Sequence, residues 1–347
     1  MDTHQIQRFA ETLPRPQQRN ASDAVTRAVN FLLGARDRDG WWRDFDTLAG
    51  SSDEWVSAYV ACALARSSLA SGARAAEDMW SRIMRRRWWS PGWGFNRKVP
   101  PDSDTTLWVI TLGQILGRAN SLRTRRAIHW LEQQIQSNGG VATYGAALPI
   151  RIYTRLSKEV SFEGWCSSHV CVSALAASTD IPARRRILEY VREHQQDDGS
   201  WPSYWWCDSE YSTALAVTAL DRSHDSGDAT RIERAVTWAI ERQSSAVQDS
   251  PFASAYRLQI LSAPGFHAEG AARDCITTLL ELQNSDGSWP ASSRLRIPPP
   301  GVVHPDGYSS WSETARGGGG IILDRGRNFT TATVLSALVI ALRACDE

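Results

Sequence analysis

The chain has 347 residues, formal net charge +0 and 16 tryptophans, and 42% of it is hydrophobic. That length allows one or two domains with a sizeable core, and the balanced charge leaves no basic footprint for nucleic acid. No apolar run of about 18 residues occurs, so no transmembrane helix is expected. The first twenty residues lack the apolar stretch of a signal peptide. The six cysteines, Cys62, Cys166, Cys171, Cys207, Cys275 and Cys345, lie mostly in apolar helical contexts. They read as small core residues of a cytoplasmic, reducing compartment rather than a disulfide frame.

Residues 1–20 read as a lead segment and 21–347 as a single domain. Along that domain amphipathic and apolar helices alternate. Amphipathic helices are expected near 23–37, 74–87, 122–136, 182–196, 229–243 and 268–283. Ile128, Leu131 and Ile135, for example, recur at helical spacing among Arg125, Arg126, Glu132 and Gln133. Helices apolar nearly all round, and therefore buried, are expected near 53–67, 104–117, 164–178, 209–222, 251–262 and 329–344. A recurring turn separates the two kinds. Asp39-Gly40-Trp41-Trp42, Asp197-Asp198-Gly199-Ser200-Trp201 and Ser285-Asp286-Gly287-Ser288-Trp289 are copies of it. Weaker copies stand at Pro91-Gly92-Trp93, Asn138-Gly139-Gly140 and Gln248-Asp249-Ser250. Self-similarity at this period signals a stacked architecture. The expected fold is all-α: six outer helices around six inner ones, an (α/α)6 barrel. Two longer insertions, 138–162 and 290–328, read either as functional lids or as disordered segments.

In such a barrel the inner helices run parallel, so their starts gather at one end of the central cavity. Those starts carry Glu54-Trp55, Asp102 and Asp104, Trp165, Tyr211, Phe252 and Tyr256, and Phe329-Thr330. Carboxyls and aromatics therefore converge. A lone Asp at a helix start is ordinarily an N-cap. Two of them directly after Gly92-Trp93-Gly94-Phe95, in a tryptophan-rich barrel, point further. Burial raises a carboxyl pKa, and a neighbouring carboxylate raises it more. An acid kept neutral beside a dry aromatic cavity can protonate an alkene, and ring faces stabilise the resulting cation. Trp55, Phe95, Trp108, Trp165, Trp205, Tyr211 and Phe329 are the candidates for the cavity wall. Trp42, Trp201 and Trp289 sit in the turns and read as braces between repeats.

These residues resemble the barrel of squalene-hopene cyclases and other class II terpene cyclases. Gly92-Trp93-Gly94-Phe95 with Pro101-Asp102-Ser103-Asp104-Thr105-Thr106 is similar to that family's acid motif. Ser167-Ser168-His169-Val170 is similar to the segment whose histidine bonds the acid, and Trp205 to Thr213 to a segment holding a cavity Trp and a Tyr near it. The resemblance implies that Asp104 donates a proton and that Asp102 and His169 orient and tune it. Thr105 would add a hydrogen bond where the family has a last aspartate, as in bacterial drimane-type cyclases. It implies a linear isoprenoid or prenylated substrate, cyclised without a redox cofactor. A diphosphate head would call for Mg²⁺ and for basic residues such as Arg97, Lys98, Arg151, Arg155 and Lys158. The chain is too short for the second barrel and membrane-docking helix of squalene-hopene cyclases, which leaves at most a weak peripheral membrane contact.

Other readings stay open. Glu54 and Asp104 would serve as the acid/base pair of an α/α-barrel glycosidase or lyase. A non-catalytic barrel binding a lipid would also bury such a site. Cys166, His169 and Cys171, or Cys207 with Asp208, would bring zinc to mind. Their spacing along one helix splays the side chains, so no metal site is expected.

Overall fold

The computed structural model describes residues 15–87, 89–245, 250–266 and 268–346. Its outer helices are Arg15–Gly34, Ala70–Arg85, Leu122–Glu132, Arg184–Glu193, Ala229–Ser245 and Glu269–Glu281. Its inner helices are Glu54–Arg66, Ser103–Ile115, Val170–Ser178, Glu210–Asp221, Pro251–Leu261 and Asn328–Asp346. Each inner helix packs on the next, and the last packs on the first, so the inner ring closes as an (α/α)6 barrel. The apolar pattern explains the layering. Ser103–Ile115 is buried over most of its length, whereas Ala70–Arg85 buries one stripe that includes Ala76, Met79 and Ile83.

The repeated turn is a staple with two anchors. The indole N–H of Trp42, Trp93, Trp201 and Trp289 donates to the carbonyl ten residues earlier, in the outer helix just left: Leu32, Ile83, Val191 and Leu279. The backbone N–H of the same tryptophans donates to a hydroxyl at the fourth position of the following inner helix. The acceptors are Ser57, Thr106, Thr213 and Thr331. Val141 donates likewise to Ser173 in the turn that lacks a tryptophan. Gly40, Gly139, Gly199 and Gly287 adopt φ between +83° and +96°, which only glycine takes without strain. A Cβ on Gly199 would stand 2.5 Å from the Arg234 carbonyl. Gln248 and Asp249 of the sixth turn lie outside the described residues, and Ser250 caps Pro251–Leu261 through the Ala253 amide.

Several expectations need correction. The first outer helix begins at Arg15, inside the span assigned to the lead segment. The inner helix expected over 164–178 is broken. A short turn, Glu163–Cys166, precedes an extended link whose His169 N–H bonds the Val141 carbonyl, and the helix proper starts at Val170. Two antiparallel hairpins also appear, Asp44–Thr47 with Gly50–Ser52 and Arg294–Ile297 with Gly320–Leu323. Both insertions are ordered. The first contains helix Ala147–Thr154, and the second contains the 294–323 hairpin, which bridges to Trp206.

The hydroxyl anchor can be tested. Thr213→Val leaves the buried Trp201 amide without its acceptor, so urea denaturation should show a loss of about 1–3 kcal/mol. The exposed Thr218→Val in the same helix should stay within about 0.5 kcal/mol.

Candidate active site

A cavity of about 430 Å³ lies at the N-terminal end of the inner ring, within the range of small-molecule sites. Trp55, Phe95, Trp165, Trp205, Trp206 and Tyr211 supply its aromatic wall, and Asp102, Asp104 and Thr105 its carboxyl corner. Tyr144, Ile150 and Tyr153 come from the first insertion, and Leu295, Ile297, Pro300 and Arg316 from the second. The insertions are therefore walls of the chamber.

The Gly-Trp-Gly-Phe turn positions the acids. Gly94 is required because a Cβ there would stand 2.5 Å from the Pro100 carbonyl. Trp93 accepts the Asp102 amide at 2.9 Å, which fixes the entry to helix Ser103–Ile115. Asp102 caps that helix. Its Oδ1 accepts from the Thr105 amide at 2.7 Å, and its Oδ2 accepts from the Thr105 hydroxyl and the Phe95 amide at 3.0 Å. Asp104, in the first turn, points into the cavity. It is half-buried by exposure, yet the surface it exposes faces aromatic rings, so its anion is poorly solvated. Burial, then the Asp102 charge, pushes its pKa up to about 8, against the opposing pull of Trp55 and Tyr211. Burial raises Asp102 to about 7, opposed by its Thr105 and Phe95 bonds. Asp104 thus holds its proton at neutral pH. The Trp55 and Trp108 indole N–H groups and the Tyr211 hydroxyl are buried and make no well-formed hydrogen bond, but Trp55 and Tyr211 lie close enough to Asp104 to act on its carboxyl.

His169 does not reach the acids. Its Nδ1 lies 2.7 Å from the Thr143 hydroxyl and its Nε2 lies 2.8 Å from the Gly164 carbonyl. A carbonyl only accepts, so Nε2 carries the hydrogen and Nδ1 accepts from Thr143. Thr143 in turn accepts the Trp205 indole N–H at 2.8 Å. Burial lowers the His169 pKa to about 4, and its ring stacks on Tyr204 at 3.8 Å. A neutral histidine that orients Trp205 through Thr143 thus stands where a direct partner of Asp104 was expected. With both ring nitrogens engaged, it is also unavailable to zinc. Among the described residues no group of three or more His, Cys, Asp or Glu side chains suits a metal ion.

Thr105 bonds Asp102 rather than Asp104. Trp108 and Phe329 do not line the cavity: Trp108 meets Tyr59 edge-on, and Phe329 packs behind Trp55 and Trp206. Glu54 is fully buried, 3.1 Å from Arg87 and accepting the Gly94 amide, and is not among the residues lining the cavity. It holds the turn and does not open onto the cavity with Asp104, which counts against the alternative of a glycosidase acid/base pair. Trp206, the centre of the aromatic cluster, escaped sequence reasoning although it adjoins Trp205. Tyr144, Tyr153 and Arg316 escaped it because they sit in insertions without periodicity.

Comparisons with known proteins agree with this geometry. The family model described as squalene-hopene cyclase C-terminal domain matches residues 74–249. A variant of the type II terpene cyclase MstE from Scytonema, in complex with geranylgeranyl dihydroxybenzoate (substrate), is 36% identical with a TM-score of 0.90, over 95% of this chain and 100% of that one. A second MstE variant holds merosterolic acid A (product). A squalene-hopene cyclase from Zymomonas mobilis is 28% identical over 167 residues, covering 42% of this chain and 25% of that protein. A copalyl diphosphate synthase from Streptomyces anulatus is 34% identical over 62 residues, covering 18% of this chain and 11% of that protein. The chain thus spans a quarter or less of the curated relatives it matches.

The carboxyl environment has a stability signature. Asp104 ionises near 3.8 when unfolded and near 8 when folded. Between those values the folded chain holds a proton that the unfolded chain has released. Stability therefore falls as pH rises through that window, by up to about 1.4 kcal/mol per pH unit for one such group. Asp104→Asn should make the decline shallower in urea titrations across that range. An unchanged slope would show that the carboxyl is not buried as described.

Proposed function

The chain belongs to the squalene-hopene cyclase C-terminal domain family and to its type II terpene cyclases, and we propose that it cyclises a linear prenylated compound by protonation, as a cytoplasmic isomerase. One observation carries this reading: a carboxyl, Asp104, whose pKa burial pushes up to about 8, opening onto a cavity walled by aromatic rings.

Asp104 gives its proton to the terminal alkene of the substrate, and a tertiary carbocation forms at the neighbouring carbon. The π electrons of successive alkenes close the rings. A final proton loss, or capture by an internal nucleophile, ends the cascade. Substrate and product then have the same formula, and Asp104 regains a proton before the next turnover. The anion left on Asp104 lies in the first turn of helix Ser103–Ile115, where the positive helix end favours it. Trp55 and Tyr211, whose donors have no other partner, face the same carboxyl and complete its support. The ring faces exclude water and stabilise each cation by about 0.5–2 kcal/mol. No step needs a redox cofactor or metal. Arg316, the one cation among the lining residues, would meet an anionic head group at the mouth.

MstE's complexes make geranylgeranyl dihydroxybenzoate the first substrate to offer, beside farnesyl and geranylgeranyl diphosphates. Mass analysis should find products isomeric with the substrate. Asp104→Asn should lower the rate by about 10²-fold or more. The rate should also fall as pH rises through about 8, where Asp104 ionises. Full activity in Asp104→Asn, or a rate that climbs steadily through that pH, would refute the role given to Asp104.

The Trp205 tether makes a separate prediction. Thr143→Val frees the indole from His169, so the product mixture should change while proton transfer persists. Thr143→Ser should restore the native mixture, as read by chromatography. An unaltered mixture in Thr143→Val would show that Trp205 is held by packing alone.

A further inference from the structure

Residues 298–302, Pro-Pro-Pro-Gly-Val, run along the cavity in the second insertion. Pro300 and the preceding Ile297 line the cavity, while Gly301 is exposed, so a single layer of chain separates chamber from solvent there. Three consecutive prolines bring no amide hydrogen, so they are fastened through their carbonyls. The donors come from the turn Glu163–Cys166 and from Tyr204. The Trp165 indole donates to the Pro298 carbonyl at 2.9 Å, and the Trp165 amide donates to the Pro300 carbonyl at 3.2 Å. The Tyr204 hydroxyl donates to the Val302 carbonyl at 2.7 Å.

The surroundings are shaped to receive this stretch. Gly164 lies against it, and a Cβ there would stand 2.1 Å from the Val302 carbonyl. Arg296 closes its base, donating to Asp306 at 2.7 Å and to the Tyr204 carbonyl at 3.0 Å. The Tyr204 ring is fixed by its stack on His169 and does not line the cavity. The fastening is uneven. Trp165 holds the proline half twice, whereas the half beyond Gly301, where the backbone is freest to swing, hangs on the Tyr204 hydroxyl.

We propose that residues 298–302 form a strap that keeps water from the carbocations, and that the Tyr204 hydroxyl is its latch. Tyr204 is thus a positioning residue that decides how the cascade ends. This rests on the cyclase reading above. Ring faces stabilise a cation only modestly, so a cation that meets water is captured, and protection requires exclusion. With the strap closed, the last cation loses a proton or is caught internally, and the product is an isomer of the substrate. With the strap open, a water oxygen bonds to the cationic carbon and its surplus proton passes to bulk water. The product is then an alcohol, heavier than the substrate by one water.

Tyr204→Phe removes the hydroxyl and keeps the stacked ring. In water labelled with heavy oxygen, the native chain should convert geranylgeranyl dihydroxybenzoate to isomers. Tyr204→Phe should raise the share of labelled alcohol, read by mass spectrometry, by about fivefold or more. A fold that is merely weakened lowers the total yield without changing that share. Tyr190→Phe removes a hydroxyl bonded to the Ser168 carbonyl, away from the strap, and should keep the native share. Hydrogen exchange without substrate reads the latch directly. The Trp165 amide should exchange about fivefold or more faster in Tyr204→Phe than in the native chain. Equal exchange overturns the strap, whatever the activity, and an unchanged alcohol share overturns its role against water. Failure of the cyclase reading looks different: the native chain then gives neither isomer nor alcohol, while exchange still judges the latch.

Discussion

Taking a carboxyl group away from water costs its anion far more than its acid, and the site depends on that imbalance at Asp104. An acid strong enough to protonate an alkene would ordinarily have lost its hydrogen to solvent. Here two features hold the proton in place without blocking its transfer. Aromatic rings replace water around the carboxyl, and Asp102 stands close enough that the two anions disfavour each other. Asp102 can be held there because it has a second job. As the helix cap, it is fixed by three hydrogen bonds from Thr105 and Phe95. An interaction that stabilises the fold thereby supplies the electrostatic pressure on the acid.

The helical periodicity and the turn copies made the barrel legible, because each repeat is a local pattern. All twelve barrel helices have a counterpart among the described elements, with shifts mainly at their ends. The acid corner was legible for the same reason: its residues are contiguous from Gly92 to Thr106. His169 was placed at the right depth and given the wrong partner. Its bonding is decided by Thr143, in the first insertion, and by Gly164, in the short turn Glu163–Cys166, where the regular helical pattern lapses. Trp108 and Phe329 show the same limit. A buried aromatic on an inner helix can face the cavity or the ring behind it, and only packing between helices chooses.

The insertions were least legible. Their strands and short helix form against the barrel, through contacts such as the Trp206–Leu295 bridge and the bond from the Trp165 indole to the Pro298 carbonyl. Such long-range pairings leave no periodic trace. They nevertheless supply much of the chamber's wall, through Tyr144, Ile150, Tyr153, Leu295, Ile297 and Pro300.

The tryptophan staples divide the molecule into parts that can change independently. Trp93 belongs to the same turn that seats Asp102, so the acid is bolted to the rigid ring through the Ile83 carbonyl and the Thr106 hydroxyl. The 138–162 and 290–328 segments rest on that ring without interrupting a tryptophan staple. Lineages could therefore reshape the vessel around new polyenes while inheriting the ignition point unaltered.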